Sequence, residues 1–125
     1  MTISEIIENF DDERTNNVSI ITKKRWISQL DLKIWGEILK PRGDKDFYGY
    51  GKEINLDTIV KAPDEYAEIY NLYMNMKLDT MNGEIGRSNN STLLFNRMYK
   101  EMHDYINRGE AALKNTALKV GDYNV

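Results

Sequence analysis

Residues 63–85, PDEYAEIYNLYMNMKLDTMNGEI, decide the fold, because they predict a helix that is apolar around most of its circumference. Its polar side chains recur in steps of three and four residues, which places them on one line along an α-helix. This polar line consists of Asp64, Glu68, Asn71, Asn75, Asp79 and Asn82. A surface helix of a small protein normally buries an apolar stripe of about 100°. The pattern therefore predicts neighbours on several sides, and we expect other copies or other proteins to supply some of them.

Two helices are predicted upstream of this segment. Thr2 and Glu5 have the spacing of a capping box that opens a first helix over residues 3–12. Ser19 can cap a second helix over residues 20–39. Both carry isoleucines at helical spacing, so we expect both to contribute an apolar face to one core.

A fourth helix is predicted downstream, starting at Asn90 or Ser91 and ending at Gly109. It should form an antiparallel hairpin with the third helix. The expected fold is mainly α: a small bundle of about four helices over residues 1–108, followed by a C-terminal tail over residues 109–125.

The connection between helices two and three, residues 41–62, is long for a compact domain. It contains Phe47, Tyr48 and Tyr50 among glycines, and residues 59–60 could form a short strand. One interpretation is that the aromatic side chains dock on a partner. The other is that they fold back over the core of their own chain.

The third helix and this loop supply the candidate contact residues. The polar line of the helix has two interpretations: its amides and carboxylates register the helix against another helix, or it is the one face that reaches water. If the helix is an interface, its apolar side chains make the contact. The candidate interface residues are Tyr66, Tyr70, Tyr73 and Met76 of the helix, with Phe47, Tyr48 and Tyr50 of the loop.

Composition argues against several functional classes. The 125 residues carry a net charge of −3, which does not favour nucleic acid or an anionic membrane as a partner, and no segment is apolar enough to span a membrane. With no cysteine and one histidine, His103, the chain lacks a thiolate metal site and a recognisable catalytic set. We therefore expect no enzyme activity, no cofactor and no metal. A small helical DNA-binding or regulatory module is the alternative to a structural role.

The outer face of the first helix is acidic. Its carboxylates are Glu5, Glu8, Asp11, Asp12 and Glu13. A run of like charges of this kind usually forms a solvated face.

Several short motifs resemble a known family. In helix two these are Arg25-Trp26, Leu30-Asp31 and Ile34. Further along the chain they are Asn82-Gly83-Glu84, Arg87, Asn89-Asn90-Ser91, Phe95-Asn96 and Tyr99. Over about residues 2–108 the sequence resembles the head–tail connector, or adaptor, proteins of tailed phages and prophages of Gram-positive bacteria.

The resemblance implies a virion protein of the phage neck, made in the host cytoplasm. It implies a homo-oligomeric ring of roughly a dozen copies on or below the portal protein, in contact with tail-side neck proteins. Genomic DNA would pass through the ring without sequence recognition, and no membrane is involved.

The segment that carries most of the resemblance joins helices three and four. It has two interpretations, a structural corner between the helices or a contact with another subunit or the portal. Glu84 and Arg87 are close enough in sequence to pair across one turn. The joint residues are Asn82, Gly83, Glu84, Arg87, Asn89, Asn90 and Ser91.

Overall fold

The computed structural model describes residues 1–124, and it describes side chains for residues 1–109. Four α-helices account for most of this part of the chain, which confirms the predicted mainly α bundle. They are α1 (Ile3–Glu13), α2 (Ile20–Ile34), α3 (Glu68–Met81) and α4 (Ile85–Asn124). The described residues contain no strand. The extended segment predicted at residues 59–60 makes one isolated antiparallel bridge, between Thr2 and Ile59.

The first two helices begin where the sequence predicts. The hydroxyl of Thr2 accepts the Glu5 N–H at 3.1 Å, and the Glu5 carboxylate accepts the Thr2 N–H at 3.1 Å, which completes the capping box. Ser19 caps α2 by accepting the Thr22 N–H at 3.1 Å. These caps depend on residues within one turn of each other, so the sequence alone is sufficient to predict them.

The end of helix two differs from a plain α-helix. Regular α2 ends at Ile34, and the chain continues as a π-helical turn, Trp35–Leu39, and a 3₁₀ turn, Lys40–Arg42. Gly43 then takes a left-handed conformation with φ of 84°, which a glycine adopts without steric cost. The predicted end of the helical region is therefore right, although its last turns are not regular.

The third helix is shorter than predicted at its start. A separate 3₁₀ turn, Asp64–Tyr66, precedes it. At its end the Gly83 N–H donates to the Thr80 carbonyl at 3.1 Å, and the Glu84 N–H donates to the Asp79 carbonyl at 2.9 Å. This is a Schellman motif, and it requires the positive φ of 73° that Gly83 provides.

The fourth helix starts five residues or more before the predicted start, at Ile85 instead of Asn90 or Ser91. The prediction was wrong because short hydroxyl and amide side chains favour caps only when nothing else binds them. Here Ser88 lies 2.8 Å from the Thr80 hydroxyl and Ser91 donates to the buried Asp79 carboxylate, so contacts with α3 keep this segment helical. The prediction that Gly109 ends the helix is also wrong, because α4 continues to Asn124.

Helix α3 lies at the centre of the bundle. Its Asn71 donates to the Glu13 carboxylate of α1 at 2.6 Å, whereas its Tyr73 ring packs against Phe95 of α4 with 5.4 Å between centroids. Because each residue turns an α-helix by about 100°, Asn71 and Tyr73 lie about 160° apart around α3. Helices α1 and α4 therefore contact different sides of α3 at this level, whereas both reach Asp79 near the end of α3, and α2 also packs against α3. The chain itself therefore covers much of this helix, and the expectation that other molecules supply some of its neighbours stays a prediction.

Candidate functional site

The polar line of α3 faces α1 of the same chain. Near its start, Asp64 accepts a hydrogen bond from the N-terminal amine of Met1 at 2.6 Å. One turn beyond Glu68, Asn71 binds Glu13 at the end of α1. The polar line therefore does hold α3 against another helix, as one of its two interpretations states. That other helix is α1 of the same chain.

The contact between α1 and α3 ends in a buried ion pair between Arg14 and Asp79. Arg14, the residue after α1, donates to the Asp79 carboxylate at 2.5 Å and to the Asn75 side-chain carbonyl at 2.9 Å. Asp79 is fully buried and also accepts a hydrogen bond from the Ser91 hydroxyl of α4 at 3.2 Å. One carboxylate thus joins α1, α3 and α4. Removing it would leave the Arg14 guanidinium without its principal partner.

A second buried carboxylate, Asp31 of α2, holds the long loop. It accepts hydrogen bonds from the Tyr70 hydroxyl of α3 at 2.5 Å, from the Tyr50 hydroxyl at 2.6 Å and from the Lys61 N–H at 3.2 Å. The Tyr70 oxygen in turn accepts the Ala62 N–H at 2.9 Å. Because Tyr50 lies near the middle of the loop and residues 61–62 form its end, one carboxylate fastens the second half of the loop to the bundle. We call Asp31, Tyr50 and Tyr70 the loop clasp.

Burial controls the ionisation of the loop clasp. It raises the pKa of the Asp31 carboxyl, although the hydrogen bonds from Tyr50 and Tyr70 oppose that rise. Burial and the neighbouring Asp31 charge raise the pKa of both tyrosine hydroxyls well above the ordinary value. The tyrosines are therefore neutral hydrogen-bond donors to a buried carboxyl group, which is a structural arrangement.

The loop aromatic residues largely fold back on their own chain. Tyr50 belongs to the loop clasp, and the half-buried Phe47 packs edge-on against it with 5.1 Å between ring centroids. The Lys61 ammonium lies 4.7 Å from the centre of the Phe47 ring. Tyr48 alone of the three is exposed. Docking of Tyr48 on a partner therefore stays a hypothesis. The prediction that Tyr50 contacts a partner is wrong, because Tyr50 binds Asp31 of its own chain.

The candidate interface residues of α3 are also engaged within the chain. Tyr70 is only 1% exposed, so its assignment to an external interface is wrong. Tyr66 is half-buried and packs against Tyr105 with 5.1 Å between centroids, and Tyr73 packs on α4. Met76 is half-buried. The sequence pattern could not distinguish these cases, because an apolar residue has the same signature in an intramolecular and an intermolecular contact.

The joint between α3 and α4 is a structural corner with an exposed outer side. Arg87 pairs with Glu84 at 3.1 Å, as the spacing predicts. Asn82 ends α3, and the following Asn89 and Asn90 are exposed on the first turns of α4. Ser91, in contrast, points inward to Asp79. The corner interpretation is therefore correct for its inner side, and its exposed side chains remain free to contact another molecule.

Exposed apolar side chains concentrate around this corner. Of the ten large apolar residues that are exposed within residues 1–109, four lie within residues 81–94. Met81 is 58% exposed, Ile85 is 73% exposed and Leu93 is 66% exposed. We call Met81, Ile85 and Leu93 the corner patch. The sequence pattern does not reveal it, because residues 63–85 predict one helix in which Met81 is one of many apolar side chains and Ile85 is the last residue.

A groove lies beside the corner patch, between the turn that joins α1 to α2 and the end of α3. It has a volume of about 500 Å³, and polar and apolar atoms share its lining about equally. Its lining residues include Asn16, Val18, Ser19, Leu78, Met81 and Asn82. The groove contains no carboxylate, histidine or lysine, so its own side chains offer hydrogen bonds but no acid–base group.

Within residues 1–109, no group of three or more histidine, aspartate or glutamate side chains is placed to hold a metal ion. His103 is half-exposed and lies 3.0 Å from the Asn107 amide. Among the helices described, none is both long and apolar enough to cross a membrane.

Comparisons with protein-family models, with curated proteins and with solved structures find no match for this chain. The function is therefore inferred from the residues and their geometry.

Proposed function

We propose that this chain is a structural subunit of the neck of a tailed phage, forming a ring on or below the portal and extending the DNA channel towards the tail. The observation that carries the proposal is the corner patch, which lies beside and within the segment that most resembles head–tail connector proteins. Exposed apolar residues that cluster on a small protein typically mark a protein-binding surface. A portal protein or a neighbouring subunit is the partner that the resemblance implies.

The two buried carboxylates support a structural role. Asp79 joins three helices and Asp31 fastens the long loop, so each is fully used by its hydrogen bonds within the fold. A subunit held rigid in this way can present its corner and helix faces in a fixed orientation to neighbours. Fixed orientation is what a closed ring requires, because each subunit must repeat the same contact.

The overall charge is consistent with a channel component. A net charge of −3 gives weak electrostatic attraction to DNA, which suits a passage through which the genome slides. The alternative is a small DNA-binding module, in which the cations at the start of α4 would bind phosphates. Such a module would bind duplex DNA with an affinity that falls steeply with salt.

Native mass spectrometry of the purified chain, alone and mixed with the portal protein of the same phage, tests the proposal. We expect a closed oligomer of uniform copy number, at high protein concentration or on addition of portal. Replacing Ile85 by Ser should weaken this assembly because it removes apolar surface from the corner patch. The matched control is Ile59→Ser, since Ile59 is 65% exposed on the loop, away from the corner.

A chain that stays monomeric at every concentration and does not bind the portal protein would refute the proposed function. Tight, salt-dependent binding to duplex DNA by that monomer would favour the alternative module instead.

A further inference from the structure

A small pocket lies where the long loop packs against α2. It has a volume of about 140 Å³, and its lining comes from the first half of α2 and from residues 50–52 of the loop. The Tyr50 N–H donates to the Ser28 hydroxyl at 2.9 Å, which holds the loop backbone against the helix. Gly49 permits this close approach, because its φ is positive and a Cβ at this position would lie 2.7 Å from the Ser28 oxygen. The pocket is therefore a fixed feature of the fold.

Three cations and no carboxylate line this pocket. They are Lys24, Arg25 and Lys52, and we call the pocket that they line the basic pocket. Arg25 and Lys52 are exposed, and their side chains make no ion pair within residues 1–109. The Lys24 ammonium donates to the carbonyl oxygens of Lys52 at 2.8 Å and Ile54 at 3.1 Å. Since an ammonium group has three N–H donors, one remains for a ligand.

Neighbouring carboxylates do not neutralise the basic pocket. The nearest along the chain are Asp31 on α2 and Glu53 beside Lys52, and neither lines the pocket. Asp31 is fully buried and belongs to the loop clasp. Glu53 is exposed on the turn that follows, and counting its charge against the three cations still leaves an excess of two positive charges. The pocket also lies near the N-terminal, positive end of α2, so the helix dipole adds to this charge.

Ser28 adds an uncharged donor to the lining. The residue is only 8% exposed, and its oxygen accepts the Tyr50 N–H. Among the described side chains and backbone groups, no acceptor binds the Ser28 hydroxyl proton. A buried donor is normally satisfied, and an oxygen atom placed in the pocket would accept this proton. The hydroxyl and the cations together form a donor set that suits an anionic oxygen ligand.

The size and the rim of the basic pocket indicate which anion it takes. Pockets for complete small ligands usually have volumes of about 300–1,000 Å³, so about 140 Å³ suits one group of a larger molecule. Ile21 lines the pocket and is 54% exposed, as is Ile20 beside it. Cations next to exposed apolar side chains have the mixed composition of a protein contact. Duplex DNA fits less well, because its phosphates need a row of cations and this chain has a net charge of −3.

We propose that the basic pocket binds a carboxylate side chain from an acidic segment of a partner protein. The planar guanidinium of Arg25 can donate two parallel hydrogen bonds to a carboxylate, and the lysine ammonium groups and the Ser28 hydroxyl donate to its remaining lone pairs. Ile21 contacts the apolar part of the same segment. The basic pocket shares no residue with the corner patch, so this contact is additional to the proposed ring and does not depend on it.

A short poly-glutamate peptide is the probe that tests this site. On titration, the amide NMR signals of Arg25 and residues 50–52 should shift more than those of the rest of the chain, and the affinity should fall as salt rises. The variant R25E/K52E should bind the peptide at least about tenfold more weakly, because like charges then meet. It should remain folded by circular dichroism, since both side chains are exposed.

A matched control changes one exposed arginine and one exposed lysine at another place. The variant R97E/K100E on α4 alters the net charge by the same amount and should bind the peptide as the wild type does. An equal loss in both variants would overturn the site, because it would show attraction to the overall charge of the chain. Signal shifts spread over the whole surface, or no binding of the peptide by the wild type, would also overturn it.

Two further titrations distinguish a carboxylate from phosphate groups. Inorganic phosphate and a short DNA duplex, each used in place of the peptide, should bind at least about tenfold more weakly than poly-glutamate. Tighter binding of either one, lost in R25E/K52E and kept in R97E/K100E, would overturn the acidic protein segment as the occupant and assign the pocket to phosphate groups. None of these outcomes decides whether the ring forms, so this inference and the proposed function can fail separately.

Discussion

Replacing Asp31 by Asn should loosen the long loop without changing the helical bundle. The carboxylate accepts three hydrogen bonds, from the Tyr50 hydroxyl, the Tyr70 hydroxyl and the Lys61 N–H. An asparagine has nearly the same shape but only one acceptor oxygen, and its amino group would face a tyrosine hydroxyl that is already donating. At least one of these hydrogen bonds must therefore be lost.

The magnitude follows from the number and kind of hydrogen bonds. A hydrogen bond to a charged group contributes about 1.5–3 kcal/mol, and one of the three is lost while the others become neutral. Part of this loss is offset, because burial raises the pKa of Asp31 and so already disfavours its charged form. We expect a net decrease of about 2 kcal/mol in the free energy of unfolding.

Urea unfolding followed by circular dichroism near neutral pH measures this change, and amide hydrogen exchange locates it. The Lys61 and Ala62 amides, which depend on the loop clasp, should exchange faster. Asp12→Asn is the control, since Asp12 is exposed without an ion pair and should change stability by less than about 0.5 kcal/mol. A stability of the Asp31 variant within that same margin, with unchanged exchange in the loop, would refute the role assigned to Asp31.

Two further predictions follow from local geometry and from the buried hydroxyls. Gly83→Ala should lower the free energy of unfolding by about 1 kcal/mol, because the φ of Gly83 is positive. Gly86→Ala is the control: Gly86 lies in the first turn of α4 with open space around it, so this change should be neutral or stabilising. Thermal unfolding of both variants measures the difference, and equal effects would contradict the prediction. Burial raises the pKa of Tyr50, Tyr70 and Tyr99, so the folded form should keep its full stability below the unfolded-state pKa of about 10 and lose it as pH rises further. Ultraviolet titration of tyrosinate should show a group of tyrosines that ionises only as the protein unfolds, and smooth ionisation of all tyrosines in the folded protein would count against their burial.

The helices themselves were largely predictable from local sequence. The caps at Thr2 and Ser19 and the stop at Gly43 involve interactions within a few residues, so their patterns are visible in the chain. The start of α4 was not predictable in this way. Its serines and asparagines resemble a cap by themselves, and only their contacts with α3 keep them helical.

The roles of the polar residues were not visible in the sequence. Asp31 lies 19 residues from Tyr50 and 39 residues from Tyr70, so no local spacing connects them. Arg14 and Asp79 are 65 residues apart. Pattern analysis placed Asp79 on a polar line, but it could not identify the element opposite that line.

The sequence by itself determined that this chain is a mainly helical bundle with a central, unusually apolar third helix, because helical periodicity and caps are encoded by neighbouring residues. Only the tertiary structure decided that α1, α2 and α4 of the same chain cover that helix. Helix packing brings together residues far apart in sequence, and it also determines which faces remain outside. It thereby moved the candidate contact surface from the tyrosines of α3 to the corner patch.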